Sequence, residues 1–285
     1  VRQVGAATFA QLKALKEQAY IGVVRRRHAV QSVRVRRAVS WLSGDDAMQP
    51  VHNDAPNPPM PALCQGCESR HGFCRALTAE QRLSLSRHTR RVHYPAGAEL
   101  LADAAPITSY GNVLNGVVKL SKVLEDGRQQ VVGLQFAPDL LGRLFASESR
   151  VTAEAASDVD LCMVPRTALE ALLRENPALE HAIMLQTLRE LDEARDWMVT
   201  LGRKTAAEKV ASFLYLIASH IDPLQDEETS FELPLSRADI GDFLGLTVET
   251  VSRQMSRLKA DGVIEIENYR HVSVPDVARL RLRCG

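Results

Sequence analysis

Three cysteines fall within eleven residues, as Cys64-x2-Cys67-x6-Cys74, and two more stand far from them, Cys162 and Cys284. A thiolate is a soft, anionic ligand, so thiols this closely spaced point to metal ligation or redox chemistry before they point to a disulfide framework. Gly66, Ser69 and Gly72 loosen the segment that carries them. Two centres suit a Cys-x2-Cys pair. Tetrahedral zinc takes four cysteines and needs no redox change; an iron–sulfur cubane also takes four, because iron and sulfide form covalent bonds that carboxylates cannot match. In either case the local segment supplies three ligands and the fourth comes from elsewhere. The cysteines alone leave both centres open. Other chemistry is not signalled: the chain has no Ser/His/Asp arrangement, Walker loop or HExxH, so catalysis is not expected.

A second concentration of chemistry lies in residues 236–274. Ser236-x-x-Asp239 can cap a short helix from Arg237 to Leu244, Gly245 stops it, and Thr247 is a good N-cap for a second helix to about Ala260. Two short helices joined by a glycine-containing turn make a helix-turn-helix. In the second helix Val248, Val251, Met255 and Leu258 form one apolar face, leaving Glu249, Ser252, Arg253 and Ser256 to face outward. Glu249, Ser252 and Arg253 then share the first two turns, the part of a recognition helix that meets base edges. An Arg fork suits guanine O6 and N7, Glu accepts from cytosine N4, and Ser can meet a base or a thymine methyl. Val263–Ile266 and His271–Val274, parted by the polar turn Glu267–Arg270, form a hairpin where a winged helix carries its wing.

The region between must position both sites. From about Arg91 to Cys162, short apolar runs alternate with turn signals, among them Tyr94-Pro95-Ala96-Gly97 and the Asp126-Gly127 pair, which predicts a hairpin between Val117–Leu124 and Gln129–Phe136. A small all-β domain is expected. Pro165 suits the first position of a helix to about Glu175, and Asn176-Pro177 ends it and starts another of about 25 residues to Gly202. Along this long helix Met184, Leu188, Leu191, Ala194, Met198 and Leu201 make a narrow apolar stripe among charged residues. The stripe suits a coiled-coil seam with a second copy; packing on its own β domain is the alternative. Thr205-x-x-Glu208 opens a further helix to about Ile221, ended by Asp222-Pro223, and residues 224–230 read as a polar surface loop.

In the 285 residues, 35 basic and 35 acidic side chains cancel, so any nucleic-acid binding must come from local geometry rather than a global positive field. No run of eighteen apolar residues appears and the amino terminus lacks an apolar leader, so a cytoplasmic protein with no membrane partner is expected. Residues 1–47 hold nine Lys/Arg against three acidic residues. Met48 is a candidate true start, the preceding stretch then being translated upstream sequence; a basic DNA-contacting arm is the other reading. Five prolines between Met48 and Pro61 mark a linker.

The run Gly241-Asp242-Phe243-Leu244-Gly245-Leu246-Thr247-Val248-Glu249-Thr250-Val251-Ser252-Arg253 resembles the reading head of the CRP/FNR superfamily, and closely its FNR branch, the fumarate and nitrate reduction regulators. The resemblance covers roughly residues 62–275. It implies an α+β chain: an N-terminal extension (1–61), a cluster loop and β-roll sensor of the cyclic-nucleotide-binding jelly-roll kind (62–176), a dimerisation helix (177–203) and a winged helix-turn-helix (204–285). In that branch Glu-x-x-Ser-Arg reads each half of a TTGAT-N4-ATCAA palindrome, which assigns base contacts to Glu249, Ser252 and Arg253. Cys162-Met-Val-Pro165 is similar to the segment carrying the remote cluster ligand, so the resemblance implies a 4Fe-4S cluster on Cys64, Cys67, Cys74 and Cys162, with Cys284 a free thiol. The x6 spacing differs by a residue from some FNR members. An oxygen-responsive homodimer on double-stranded DNA, with RNA polymerase as partner, is the function implied. A CRP-type ligand-responsive regulator is the alternative. Such a pocket uses Gly-Glu and Arg-Ser pairs, whereas here Leu141-Gly142-Arg143 and Arg150-Val151-Thr152-Ala153 put Arg143 where a ribose acceptor would stand.

Overall fold

The computed structural model describes residues 72–221 and 228–285, so Cys64, Cys67, the basic stretch 1–47 and the Pro-rich segment 48–61 lie outside the described residues. Apolar runs cut by turns form β1 (Arg90–Tyr94), β2 (Glu99–Leu101), β3 (Ser109–Asn115), β4 (Val118–Val123), β5 (Gln129–Gln135), β6 (Leu140–Leu141), β7 (Thr152–Ala155) and β8 (Val159–Pro165). The hairpin expected at Asp126-Gly127 joins β4 to β5. Its Leu124 N–H donates to the Arg128 carbonyl at 2.8 Å, and Gly127 takes φ +84°, which a side chain would resist. The strands build two four-stranded antiparallel sheets, ordered β1-β8-β3-β6 and β2-β7-β4-β5. Val113, Leu141, Val159 and Leu161 of the first meet Val118, Ala153 and Ala155 of the second in a buried core. This is the expected β-roll.

A helical layer covers the outer face of the first sheet: a 3-10 turn (Phe73–Ala76), α1 (Ala79–Ser86), α2 (Arg166–Glu175) and the start of α3 (Pro177–Arg203). Phe73, Leu77, Tyr110, Val164, Leu169 and Leu179 make one apolar cluster there. The expectation for Pro165 needs correcting. It is the last residue of β8, paired with Ser109, and precedes α2 with ψ 136°, an extended conformation that cannot count as the first helical position. Asn176 caps α3 by accepting from the Leu179 N–H at 3.0 Å, with Pro177 following.

Thr205 and Glu208 cap α4 (Ala206–Ile221) reciprocally. Beyond it, part of the expected 224–230 loop is strand: β9 (Thr229–Glu232) alternates buried and exposed residues, burying Thr229 and Phe231. It pairs with the wing hairpin of β10 (Glu265–Glu267) and β11 (His271–Val274) in the order β10-β11-β9. The helix-turn-helix consists of α5 (Arg237–Leu244) and α6 (Val248–Ala260), and α7 (Val277–Leu282) closes the chain. Phe213, Leu214 and Ile217 of α4 pack with Ile240, Leu244, Val251, Met255 and Val272, and Val117, Val131 and Phe136 of the roll join the same cluster. Full burial of each such side chain is worth about 1.5–3 kcal/mol. Val248, expected on the apolar face of α6, is 43% exposed because the first residue of the helix overhangs the core, while Gln254 is buried in its stead. Cys284 is a free thiol as expected, but a buried one whose Sγ lies 3.5 Å from the Leu280 carbonyl. Among the described residues no helix is long and apolar enough to cross a membrane.

Candidate functional site

Local chemistry fixes the helix-turn-helix closely. The Ser236 hydroxyl accepts from the Asp239 N–H at 3.1 Å, and Asp239 Oδ2 accepts from the Ser236 N–H at 3.2 Å, so two otherwise orphaned donors at the start of α5 are satisfied. At its end Gly245 turns left-handed, φ +62°. The turn then folds back on Gly241: the Leu246 N–H donates to the Gly241 carbonyl at 3.0 Å, and a Cβ on Gly241 would lie 2.6 Å from the Leu246 carbonyl oxygen. Only glycine fits there. In the sequence, only the presence of a glycine inside a capped helix signals this role of Gly241.

Thr247 then caps α6 by accepting from the Thr250 N–H at 3.3 Å. Val251, Gln254, Met255 and Leu258 are buried, and this anchors one side of the helix on the core. Glu249, Ser252, Arg253 and Ser256 are exposed on the other. The Arg253 guanidinium lies 3.3 Å from the Thr250 hydroxyl, which holds it along the outer face. Hydrogen bonds from its own backbone N–H and from Thr247 hold the Glu249 carboxyl below the usual carboxylate range, so it stays an ionised acceptor. Beside α6, the Lys259 ammonium donates to the Ile266 carbonyl at 3.0 Å, and Arg237 donates to the Tyr269 carbonyl at 3.2 Å. The wing is thereby tied to both helices.

Of the four cysteines proposed as ligands from sequence, two are described. Cys74 lies in the 3-10 turn and Cys162 in β8, directly opposite Asn112 of β3, and both pack against the apolar cluster on the outer face of the roll. Gly72, at φ +70°, brings the segment against the roll: a Cβ there would lie 3.0 Å from Pro138 and 3.4 Å from Asn112 Oδ1. That oxygen is buried without a hydrogen-bond partner. An unpartnered acceptor there calls for a hydrogen-bond donor, which an anionic iron–sulfur group does not supply, so the side chains at this place that suit such a group are the soft thiols of Cys74 and Cys162. Among the described residues no group of three or more His, Cys, Asp or Glu side chains is placed to hold a metal ion.

Most of the stripe on α3 is exposed, although Leu201 at its end is half-buried and Met184 also lines the cavity beside the roll. Leu191 is 44% and Met198 72% exposed, with Met184, Leu188 and Ala194 also exposed. Between α3 and the roll lies a cavity of about 830 Å³, lined by leucines such as Leu101, Leu120 and Leu140 and by Arg143 and Arg150.

Comparison with known proteins agrees with this architecture. Residues 208–283 match a Crp-like helix-turn-helix domain and residues 91–176 a cyclic nucleotide-binding domain. A probable transcriptional activator of Rhizobium leguminosarum bv. viciae is 53% identical over 77% of this chain and 92% of its own length. The transcriptional activator protein FnrL of Cereibacter sphaeroides is 38% identical over 78% of this chain and 92% of its own. The solved structure of FixK2 from Bradyrhizobium japonicum superposes with a TM-score of 0.63 at 32% identity, covering 69% of this chain and 98% of that one.

Proposed function

Because this chain belongs to the CRP/FNR family of DNA-binding transcription regulators, we propose that it is an oxygen- or redox-responsive regulator that binds a TTGAT-N4-ATCAA-type palindrome as a homodimer. The observation that carries this reading is the division of α6: one side anchored by Val251, Met255 and Leu258, the other presenting Glu249, Ser252 and Arg253 together. Arg253 reads guanine through its fork, Glu249 accepts from cytosine N4, and Ser252 meets a neighbouring base edge. A palindrome needs two such helices related by a two-fold axis, and the exposed stripe on α3 supplies the surface that joins them. Residues 62–176 serve as sensor, 177–203 as dimerisation helix and 204–285 as reading head, in the cytoplasm, with RNA polymerase as the further partner.

Cys64, Cys67, Cys74 and Cys162 would hold a 4Fe-4S cluster, whose chemistry when bound is oxidation by molecular oxygen. Cys162 lies midway along β8, the last strand of the roll, and Cys74 sits in the turn that packs on α3. Ligation by these residues therefore links the cysteine segment to the base of the long helix. Asp192 and Asp196 on the same stretch of α3 would oppose association by like charge, partly offset by Arg195, which pairs with Asp192 at 3.0 Å, while Glu190 and Glu193 line a cleft with Asp139 and His220. A hundredfold change in dimer affinity corresponds to about 2.7 kcal/mol, within reach of a modest shift in how α3 is presented.

Two other readings have support. Zinc on the same cysteines would suit the Cys-x2-Cys pair without a redox switch. A small-ligand regulator has the cavity of about 830 Å³ in its favour, though Arg143 stands where a nucleotide ribose would need an acceptor. Anaerobic purification with an absorption spectrum and iron and sulfide counts separates them. A broad visible charge-transfer absorption is expected, lost on replacing Cys64, Cys67, Cys74 or Cys162 by Ser and kept in Cys284→Ser. A colourless, zinc-loaded protein would overturn the cluster assignment and leave the DNA-binding reading standing.

A further inference from the structure

β8 runs between β1 and β3, so Cys162 has a cross-strand neighbour on each side: Arg91 of β1 and Asn112 of β3. Directly opposed residues project from the same face of a sheet, with Cβ atoms about 4.5–5.5 Å apart. Both polar side chains therefore stand beside the thiol. They differ in what they already hold. The Arg91 guanidinium is half-exposed and reaches along β8 to Asp160, at 3.0 Å. Asn112 is 4% exposed, and its Oδ1 has no hydrogen-bond partner among the described residues.

The surroundings of this amide are apolar except toward the cysteines. Tyr110, two residues earlier on the same face, and Val164, opposite Tyr110, are fully buried in the apolar cluster. Gly72 packs over the amide, since a Cβ there would lie 3.4 Å from Asn112 Oδ1, and Cys74 follows two residues later. A buried carboxamide with one end unmatched costs about 1–3 kcal/mol, which an apolar residue at this place would avoid. As an acceptor, the amide does not suit anionic sulfur. A half-turn about its last torsion exchanges the two ends, which are nearly equal in shape, and presents an NH2 with two donors. Thiolate and sulfide carry negative charge and accept such hydrogen bonds, so the donor end suits this place where the acceptor end does not.

We propose that Asn112 turns its NH2 toward the cysteine segment and donates a hydrogen bond to sulfur of the cluster at Cys162, and that this bond slows oxidation of the cluster. The inference rests on Cys162 being a cluster ligand. Hydrogen bonds to the sulfurs are among the features that set how easily a cluster loses an electron, and they act more strongly in a buried, low-dielectric place. A donor here stabilises the more negative, reduced form. Asn112 is thus a positioning and tuning residue, one strand away from its ligand and outside the Cys64–Cys74 segment.

The test uses the full chain purified without oxygen, as wild type, Asn112→Leu, Asn112→Ala and Asn112→Ser. Iron and sulfide counts should agree across the four, because no ligand is changed. In air-saturated buffer the visible band should fade about five-fold faster in the Leu and Ala variants, a part of the worth of one hydrogen bond to a charged acceptor, since both oxidation states gain from it. Asn112→Ser keeps a donor and should fall between. A second readout is one that packing alone does not move: exchange into D2O should shift the iron–thiolate stretch in the wild-type resonance Raman spectrum, and less in Asn112→Leu and Asn112→Ala. With iron chelated, the thermal midpoint of Asn112→Leu should equal or exceed that of the wild type, because the unmatched oxygen is gone. Fully loaded Leu and Ala variants that fade at the wild-type rate, or keep the wild-type isotope shift, would overturn the proposal and leave the cluster reading standing. Loss of the cluster from all three variants would overturn it too, by making Asn112 a residue that folds the segment. A wild-type protein without iron and sulfide would overturn both.

Discussion

Lys119 Nζ, on β4 of the roll, lies 2.6 Å from Asp239 Oδ1, on α5 of the reading head, and 3.2 Å from Glu154 Oε1 on β7. The lysine is buried, so its charge depends on these two carboxylates for the solvation it has lost. Asp239 is also the residue that caps α5 through Ser236. One carboxylate therefore both starts the first helix of the helix-turn-helix and receives the charge of a lysine on the roll. Burial pushes the Asp239 carboxyl up, but hydrogen bonds from Lys119 and Ser236 outweigh it and hold the group below the usual range. Burial likewise pulls Lys119 down, and its bonds to Asp239 and Glu154 outweigh this and raise it.

Replacing this lysine should be costly and pH-dependent. Lys119→Met leaves Asp239 and Glu154 without the ammonium and should cost about 2–4 kcal/mol in urea unfolding near neutral pH. Asp239 titrates lower in the folded state, so the stability it contributes is full above the ordinary aspartate range, near pH 4, and is lost as pH falls through its depressed value. The gap between wild type and Lys119→Met should therefore stay constant from about pH 6 to 9 and narrow on acidification. A gap that is absent at neutral pH, or that widens in acid, would contradict the ion-pair account.

The turn of the helix-turn-helix offers a steric prediction. Gly241→Ala would drive a methyl to 2.6 Å from the Leu246 carbonyl oxygen, so the turn must shift. A loss of about 1–3 kcal/mol is expected, with DNA affinity falling alongside. Gly245→Ala meets no neighbour within 4 Å and strains only its φ of +62°, at about 1 kcal/mol. Circular-dichroism melts of the two variants give the order; Gly245→Ala as the more damaging change would contradict it.

Features set by short-range chemistry were legible in the sequence. The Ser236, Thr247 and Thr205 caps, the Gly245 stop and the Asp126-Gly127 hairpin depend on residues within a few positions of one another, and each stands where its spacing placed it. What depends on distant partners was not. β9 becomes a strand because β11 offers it an edge, and Val248 is exposed because the core ends before the first turn of α6. Pro165 is held in β8 by Ser109, 56 positions upstream, and nothing near Pro165 announces that pairing. Lys119 is the clearest case. A lysine in an amphipathic strand reads as a solvated residue, and only the packing of α5 on the roll reveals its second partner.

Association is predicted to run through α3. Leu191→Glu sets like charges face to face near a two-fold seam and should weaken the dimer at least tenfold, or about 1.4 kcal/mol. Met198→Glu should act in the same direction, and a substitution at buried Leu179 should instead lower stability. Sedimentation under anaerobic conditions reads the difference. A Leu191→Glu protein that stays dimeric at low micromolar concentration would place the seam elsewhere.

The division of α6 into an anchored and a reading side is tested most directly by Arg253→Ala. Gel-shift titrations at fixed salt compare its binding to TTGAT-N4-ATCAA, to the same site with guanine changed, and to a scrambled duplex. Loss of the guanine fork should cost about 1–3 kcal/mol per half-site on the intact palindrome and erase most of the preference over the guanine-substituted site. Arg270→Ala, in the wing, should weaken all three duplexes alike and lower the salt slope by about one. If Arg253→Ala instead weakens palindromic and scrambled duplexes equally, α6 does not read the site through this residue, and the assignment of Glu249, Ser252 and Arg253 is wrong.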